Sequence, residues 1–183
     1  MNVTTTPIKG LLVLEPQILK DDRGYFFESY NAGTLSSKAD FINTFVQDNQ
    51  ARSVKNVLRG LHYQNEPHAQ TKLIRALEAV IWDVAVDIRP GSPTYGQWFG
   101  IELSAENKKQ LLIPRGFAHG YSVLSDTAEV FYKCDNLYSK ASEGSIYYAD
   151  PTLNIDWKIN LEDAIISDKD KVNPIMQDAV ISF

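Results

Sequence analysis

Apolar and polar side chains alternate over short stretches along most of the chain, and glycine, proline, asparagine and aspartate punctuate them. Period-two alternation marks a strand with one buried face. It predicts strands over 8–19, 24–30, 43–51, 56–64, 71–77, 79–88, 96–104, 110–113, 118–125, 128–136 and 144–149. In the sixth of these, Trp82, Val84, Val86 and Ile88 point to one face while Ile81, Asp83, Ala85 and Asp87 point to the other. Helix is minor: a short one over 31–39, and patchy helical character at 161–166 and 174–179. Many short strands with little helix predict an all-β jelly roll, in which two sheets enclose a pocket and close most edges.

At 183 residues, 44% hydrophobic and 22% charged, the chain is expected to form one soluble domain spanning 1–183. No repeat, low-complexity tract or long linker divides it. A net charge of -5 argues against a surface for nucleic acid, but a small anionic ligand can bind where basic residues converge. Cys134 is the only cysteine, which excludes an intrachain disulfide and points to a reducing compartment, the cytoplasm. The start, MNVTTTPIKG, has no basic segment or long apolar run, and the most apolar stretch, 79–88, is interrupted by Asp83 and Asp87. Neither secretion nor membrane insertion is expected.

Chemistry enters with the histidines, of which there are three: His62, His68 and His119. His62 lies in Leu58-Arg59-Gly60-Leu61-His62-Tyr63-Gln64, where a mid-strand glycine predicts a bulge or a close backbone approach. The bulge matters because Arg59 and His62 have opposite parity, so a regular strand would send them to different faces. His119 lies in Pro114-Arg115-Gly116-Phe117-Ala118-His119-Gly120. Its Pro-x-Gly-x-x-His spacing resembles the second metal motif of the cupin superfamily. The first motif fails, since a His-x-His pair would fall on His62 and Gln64, and Val123 replaces the Asn expected after the second. Three or four convergent ligands are then lacking, so no metal is expected.

Several blocks carry a closer likeness. Asp22-Arg23-Gly24-Tyr25-Phe26-Phe27-Glu28, Gln47-Asp48-Asn49, the His62 block, Lys72-Leu73-Ile74-Arg75, Val84-Ala85-Val86-Asp87-Ile88-Arg89, the His119 block, Tyr132-Lys133-Cys134 and Ser167-Asp168-Lys169-Asp170 occur in this order across nearly the whole chain. Together they resemble the signature blocks of the dTDP-4-dehydrorhamnose 3,5-epimerase family, which has a cupin-type jelly roll. The resemblance implies epimerisation at C3 and C5 of a dTDP-linked 4-keto-6-deoxy sugar, with no cofactor, by a homodimer whose N-terminal strands pair across the interface.

That reaction needs a base on one face of the sugar, a donor to the enolate oxygen, and an acid on the opposite face. Neutral imidazole suits the first role, and His62 is the best candidate by context. The resemblance assigns Asp170 to orient it, with Asp83 a rival by strand position, and Tyr132 as the acid. Lys72 would place a positive charge at the C4 oxygen. Arg23 and Arg59 suit the diphosphate, since guanidinium offers paired donors and stays charged, and His119 would donate to pyrophosphate or sugar oxygens. In the family pattern Glu28, Gln47, Asn49, Glu143 and Lys169 bind the nucleotide, and Tyr138 stacks on the thymine. Asp48, between two of these, extends the segment to 47–49. Three other readings stay open: an epimerase acting at one carbon of a related sugar nucleotide, a metal-dependent cupin enzyme, and a non-catalytic sugar-binding jelly roll.

Overall fold

The computed structural model describes residues 1–39 and 41–183. The strands are β1 (Asn2–Thr5), β2 (Leu12–Glu15), β3 (Leu19–Asp21), β4 (Gly24–Phe26), β5 (Gln47–Val54), β6 (Leu58–Gln64), β7 (Lys72–Asp87), β8 (Trp98–Ser104), β9 (Gln110–Ile113), β10 (Phe117–Cys134) and β11 (Glu143–Ser145). Two short helices, α1 (Ala32–Ala39) and α2 (Asp168–Lys171), and three single 3-10 turns complete the chain. No helix among the described residues is long and apolar enough to cross a membrane.

Two long bent strands build the frame. β7 and β10 pair antiparallel along nearly their whole length, and each changes its outer partner halfway. Residues 72–75 of β7 pair with β9 and residues 80–86 with β8, while residues 127–134 of β10 pair with β5 and residues 119–122 with β6. Two sheets result, β1-β2-β9-β7-β10-β5 and β8-β7-β10-β6-β11, sharing β7 and β10 as their common spine. The chain is therefore a jelly roll, with β3 and β4 forming a separate hairpin.

The strands bend where the register slips, between Val123 and Ala128 and again at Glu129. Ala79 takes a left-handed φ of 58° there, and the Ser125 hydroxyl accepts from the Val80 N–H at 3.0 Å and donates to the Thr127 carbonyl at 2.7 Å. The slip reverses parity. Ile74 and Ala76 face the interior before it, and Ile81 and Ala85 after it, all in one buried cluster with Leu111, Phe117 and Val130. The outer face of the second sheet, carrying Val84, Val86 and Ile88, is covered by Ile146, Leu153, Trp157 and Met176 of the C-terminal third. Leu35 of α1 packs with Leu14, Leu73 and Leu112 over the first sheet.

Compared with the alternation pattern, the expected strand over 8–19 shrinks to β2, because Gly10 turns the chain at φ 91° before Leu11 is buried. The expected pairs 71–77 with 79–88, and 118–125 with 128–136, are each one continuous strand. The helical patches at 161–166 and 174–179 reduce to 3-10 turns at Leu161–Asp163 and Met176–Asp178, and β1, β3 and α2 are additions.

Candidate active site

Antiparallel partners directly opposite one another share a face, so the strand register places each candidate side chain. Opposite Tyr132 stands Asn49, and opposite Cys134 stands Gln47; Lys72 lies across from Cys134 on the other side. On the second sheet His62 is opposite both His119 and Ser145, and Glu143 is opposite Gln64. All of these belong to the interior row.

The bulge at Gly60 brings Arg59 into that row. Arg59 pairs with Tyr121 and His62 with His119, so Gly60 and Leu61 together oppose the single residue Gly120. Leu58 and Leu61 pack outward beneath Trp157, leaving Arg59 and His62 on the same side despite their parity. Glycine is required here: Gly60 has φ 120°, and a Cβ on it would lie 2.6 Å from Gly120 Cα and 2.7 Å from the His119 carbonyl. Gly60→Ala is expected to cost ~2–3 kcal/mol in equilibrium urea denaturation. A change within ~0.5 kcal/mol, the usual range for an innocuous surface substitution, would show that the bulge relaxes.

His62 Nε2 lies 2.6 Å from Asp170 Oδ1. Asp170 is 3% exposed and stands on α2, whose N-cap Ser167 accepts from the Asp170 N–H at 3.1 Å. Burial alone would raise the Asp170 carboxyl, but hydrogen bonds from His62 and the Gly60 N–H hold it below the ordinary range. A carboxylate acceptor places the imidazole proton on Nε2 and leaves the Nδ1 lone pair as the basic site. Asp83, the rival, faces a different histidine: its Oδ1 lies 2.8 Å from His119 Nε2. Burial lowers His119, against the opposing pull of Asp83, so this second imidazole is held toward its neutral form.

His62, Lys72 and Tyr132 line one cavity of about 320 Å³, with Gln47, Asn49, Tyr138 and Glu143 at its mouth. Lys72 has no hydrogen-bonded or ion-paired partner among the described residues; loss of hydration pushes its ammonium below the ordinary lysine range, while Cys134, Asp83 and Glu143 oppose the shift. Burial raises the Tyr132 phenol, with Arg59 acting against it. At the mouth, Gln47 Oε1 accepts from the Tyr138 N–H at 2.9 Å, and Gln47 Nε2 donates to Asn49 Oδ1 at 3.0 Å. Tyr138 Oη donates to Glu143 Oε2 at 3.3 Å, and Lys169 Nζ donates to Glu143 Oε1 at 2.5 Å. A second groove of about 350 Å³ lies behind His62, lined by Arg59, Lys169 and Asp170.

Four candidates lie elsewhere. Asp48 opposes Lys133 and bonds its Nζ at 2.8 Å on the outer face, since its parity differs from that of its two neighbours. His119 is buried behind the cavity against Asp83. Arg23 sits at the tip of the β3–β4 hairpin, its side chain 90% exposed and paired with Asp21, and Glu28 accepts from Asn31 Nδ2 at 3.0 Å. Sequence reasoning missed Gln64 and Gln70, which also line the cavity. Gln64 clamps the loops around it, donating to the His68 carbonyl at 2.6 Å and accepting from the Ser139 N–H at 2.6 Å. Its place in the interior row beside His62 was the available signal. Among the described residues no three His, Cys, Asp or Glu side chains are grouped to hold a metal ion.

Residues 5–178 match the family model described as dTDP-4-dehydrorhamnose 3,5-epimerase. The enzyme of that name from Salmonella typhimurium is 50% identical over 182 residues, covering 100% of this chain and 99% of its own. The crystal structure of dTDP-4-dehydrorhamnose 3,5-epimerase from Elizabethkingia anophelis superposes with a TM-score of 0.94 at 50% identity, covering 97% of each chain. A dTDP-6-deoxy-D-glucose-3,5-epimerase from Legionella pneumophila, solved in complex with dTDP-4-keto-L-rhamnose, gives 0.93 at 48% identity over 96% of this chain and 93% of its own. With the family model matched over residues 5–178, half the positions identical and near-complete coverage of relatives that share the jelly roll, this chain belongs to the dTDP-4-dehydrorhamnose 3,5-epimerase family.

Proposed function

We propose that this enzyme epimerises C3 and C5 of dTDP-4-dehydro-6-deoxy-D-glucose, giving dTDP-4-dehydro-L-rhamnose. The observation that carries the reading is that an imidazole oriented by a buried carboxylate and a phenol line the same cavity with a lysine. The hydrogens at C3 and C5 are acidic because the C4 carbonyl delocalises the electron pair left by either. His62 Nδ1 removes the proton, Lys72 holds its positive charge near the oxygen that becomes anionic, and Tyr132 returns a proton to the opposite face. Each inversion leaves His62 as imidazolium and Tyr132 as phenolate, so both must be reset through solvent before the second. Neither transfer changes an oxidation state, and no redox cofactor enters the scheme.

The cavity is at the small end for a ligand site, about 300–1,000 Å³ in general, which fits the sugar while the nucleotide lies across the mouth. Tyr138, 56% exposed, offers a face for the thymine, and Gln47, Asn49, Glu143 and Lys169 surround it. Arg59, in the groove adjoining His62, serves the diphosphate. The remote positions of Arg23 and Glu28 support the homodimer. The β3–β4 hairpin exposes Leu19, Tyr25 and Phe26, and a partner's hairpin could complete the nucleotide site with these residues. β1, at a sheet edge, offers the strand for pairing. The unpaired Cys134 fits a cytoplasmic setting.

In deuterated water, turnover of dTDP-4-keto-6-deoxyglucose is expected to place deuterium at both C3 and C5, read by NMR of the product. Label at one carbon would replace this reading with a single-site epimerase, and binding without label would leave a sugar-binding protein.

A further inference from the structure

Gln64 ends β6 two residues after His62 and lies in the same interior row, about 7 Å along the strand at the usual rise per residue. It is 5% exposed and lines the cavity, a place that invites a role in holding substrate. Its hydrogen bonds point elsewhere. Nε2 donates to the His68 carbonyl at 2.6 Å and to the Leu137 carbonyl at 3.2 Å, while Oε1 accepts from the Ser139 N–H at 2.6 Å. Carbonyls only accept and an N–H only donates, so these partners fix which end of the amide is which, and both amide hydrogens are taken by backbone.

Two of these partners flank one residue. The Leu137 carbonyl belongs to the peptide before Tyr138 and the Ser139 N–H to the peptide after it, so one side chain pins both peptide planes beside the Tyr138 Cα. Fixing those planes fixes φ and ψ, and with them the direction of the Cα–Cβ bond. The first plane is also held from its other end, where the Tyr138 N–H donates to Gln47 Oε1 at 2.9 Å. Residues 137–139 belong to no strand or helix, and Tyr138 is exposed. An aromatic ring on such a loop must otherwise be ordered when a ligand arrives, which subtracts from affinity.

We propose that Gln64 is a positioning residue for nucleotide recognition: it sets Tyr138 as a preformed platform for the thymine ring and does not itself touch the substrate. The proposal rests on the reading of Tyr138 as the residue that stacks on thymine. β6 then carries both the catalytic imidazole and, two residues on, the anchor of the platform. β11 holds the other end of the tyrosine, since Tyr138 Oη donates to Glu143 Oε2 at 3.3 Å and Glu143 lies opposite Gln64. The distance between the stacked thymine and the reacting sugar is therefore set by one antiparallel pair and not by the loop.

Calorimetric affinity for dTDP and steady-state turnover test this in two variants: Gln64→Leu, a side chain of similar volume without polar atoms, and Gln64→Glu, which keeps the acceptor and loses both donors. Each is expected to weaken dTDP binding and raise KM about tenfold, the size of ordering one loop side chain on binding, with kcat within about threefold of the wild type. Combined with Tyr138→Ala, the same changes should add less than about twofold, because the residue they act through is gone. Tyr138→Ala binding dTDP as tightly as the wild type would overturn the stacking reading, and the proposal with it. With Tyr138→Ala weakened as expected, four results would each overturn the role of Gln64 alone: undiminished dTDP affinity in its variants, a full effect persisting without Tyr138, a fall in kcat at constant KM, or both variants unfolding below the assay temperature.

Discussion

Replacing His62 by alanine is expected to abolish deuterium uptake at both sugar carbons, with kcat for inversion reduced by about 10²–10⁴-fold, the usual contribution of a general base. His62 is only partly buried, its side chain 35% exposed, so the substitution should leave the fold intact and the effect should be chemical. Asp170→Asn separates the imidazole from its orientation. The amide keeps the shape of the carboxylate, but its nitrogen can donate to His62 Nε2 where the carboxylate accepts at 2.6 Å. The imidazole proton then moves to Nδ1 and removes the basic lone pair from the substrate side. A large fall in kcat with little change in KM is expected for both variants. Because Asp83 faces His119 at 2.8 Å, Asp83→Asn should not reproduce it. Wild-type exchange in His62→Ala would remove the base from the scheme and the scheme with it.

Much of this site could be read from local pattern, and the remainder depended on pairing between distant strands. Alternation revealed the two faces of 81–88, and the isolated Gly60 signalled the bulge that reconciles Arg59 with His62. Both are short-range facts about a strand. The choice between Asp170 and Asp83 was not of that kind: Asp170 lies 108 positions from His62 and reaches it on a short helix capped by Ser167, a placement no local period encodes. Asp48 shows the opposite failure. Sequence adjacency grouped it with Gln47 and Asn49, but period two sends the middle residue of any three to the far face, and there it meets Lys133. The corners of β7 and β10 read as breaks because a parity reversal looks like the end of a strand, whereas hydrogen bonding carries the ladder through the slip. Arg23 and Glu28 sit beyond the cavity of their own chain, on and just after the β3–β4 hairpin, a separation from Gln47 and Asn49 that no local period encodes.

Tyr132→Phe is expected to divide the reaction in two. Phenylalanine preserves the ring that packs against the interior cluster, so the cavity keeps its shape while the proton donor is lost. His62 and Lys72 still form the enolate, and a proton returned by the imidazolium to the face it came from restores the starting sugar, exchanging hydrogen for deuterium without inversion. Inversion should fall by about 10²–10⁴-fold, whereas exchange with retained configuration should stay within about tenfold of the wild type. Product chirality and deuterium content, followed by NMR in one sample, measure both. Loss of the two in equal proportion would mean that the phenol supports binding or enolate formation and that the opposite-face acid is another group. The division itself is the stronger test, because inversion requires two faces of one planar carbon to be served by different side chains, and only removal of the acid can leave exchange running while stereochemistry stands still.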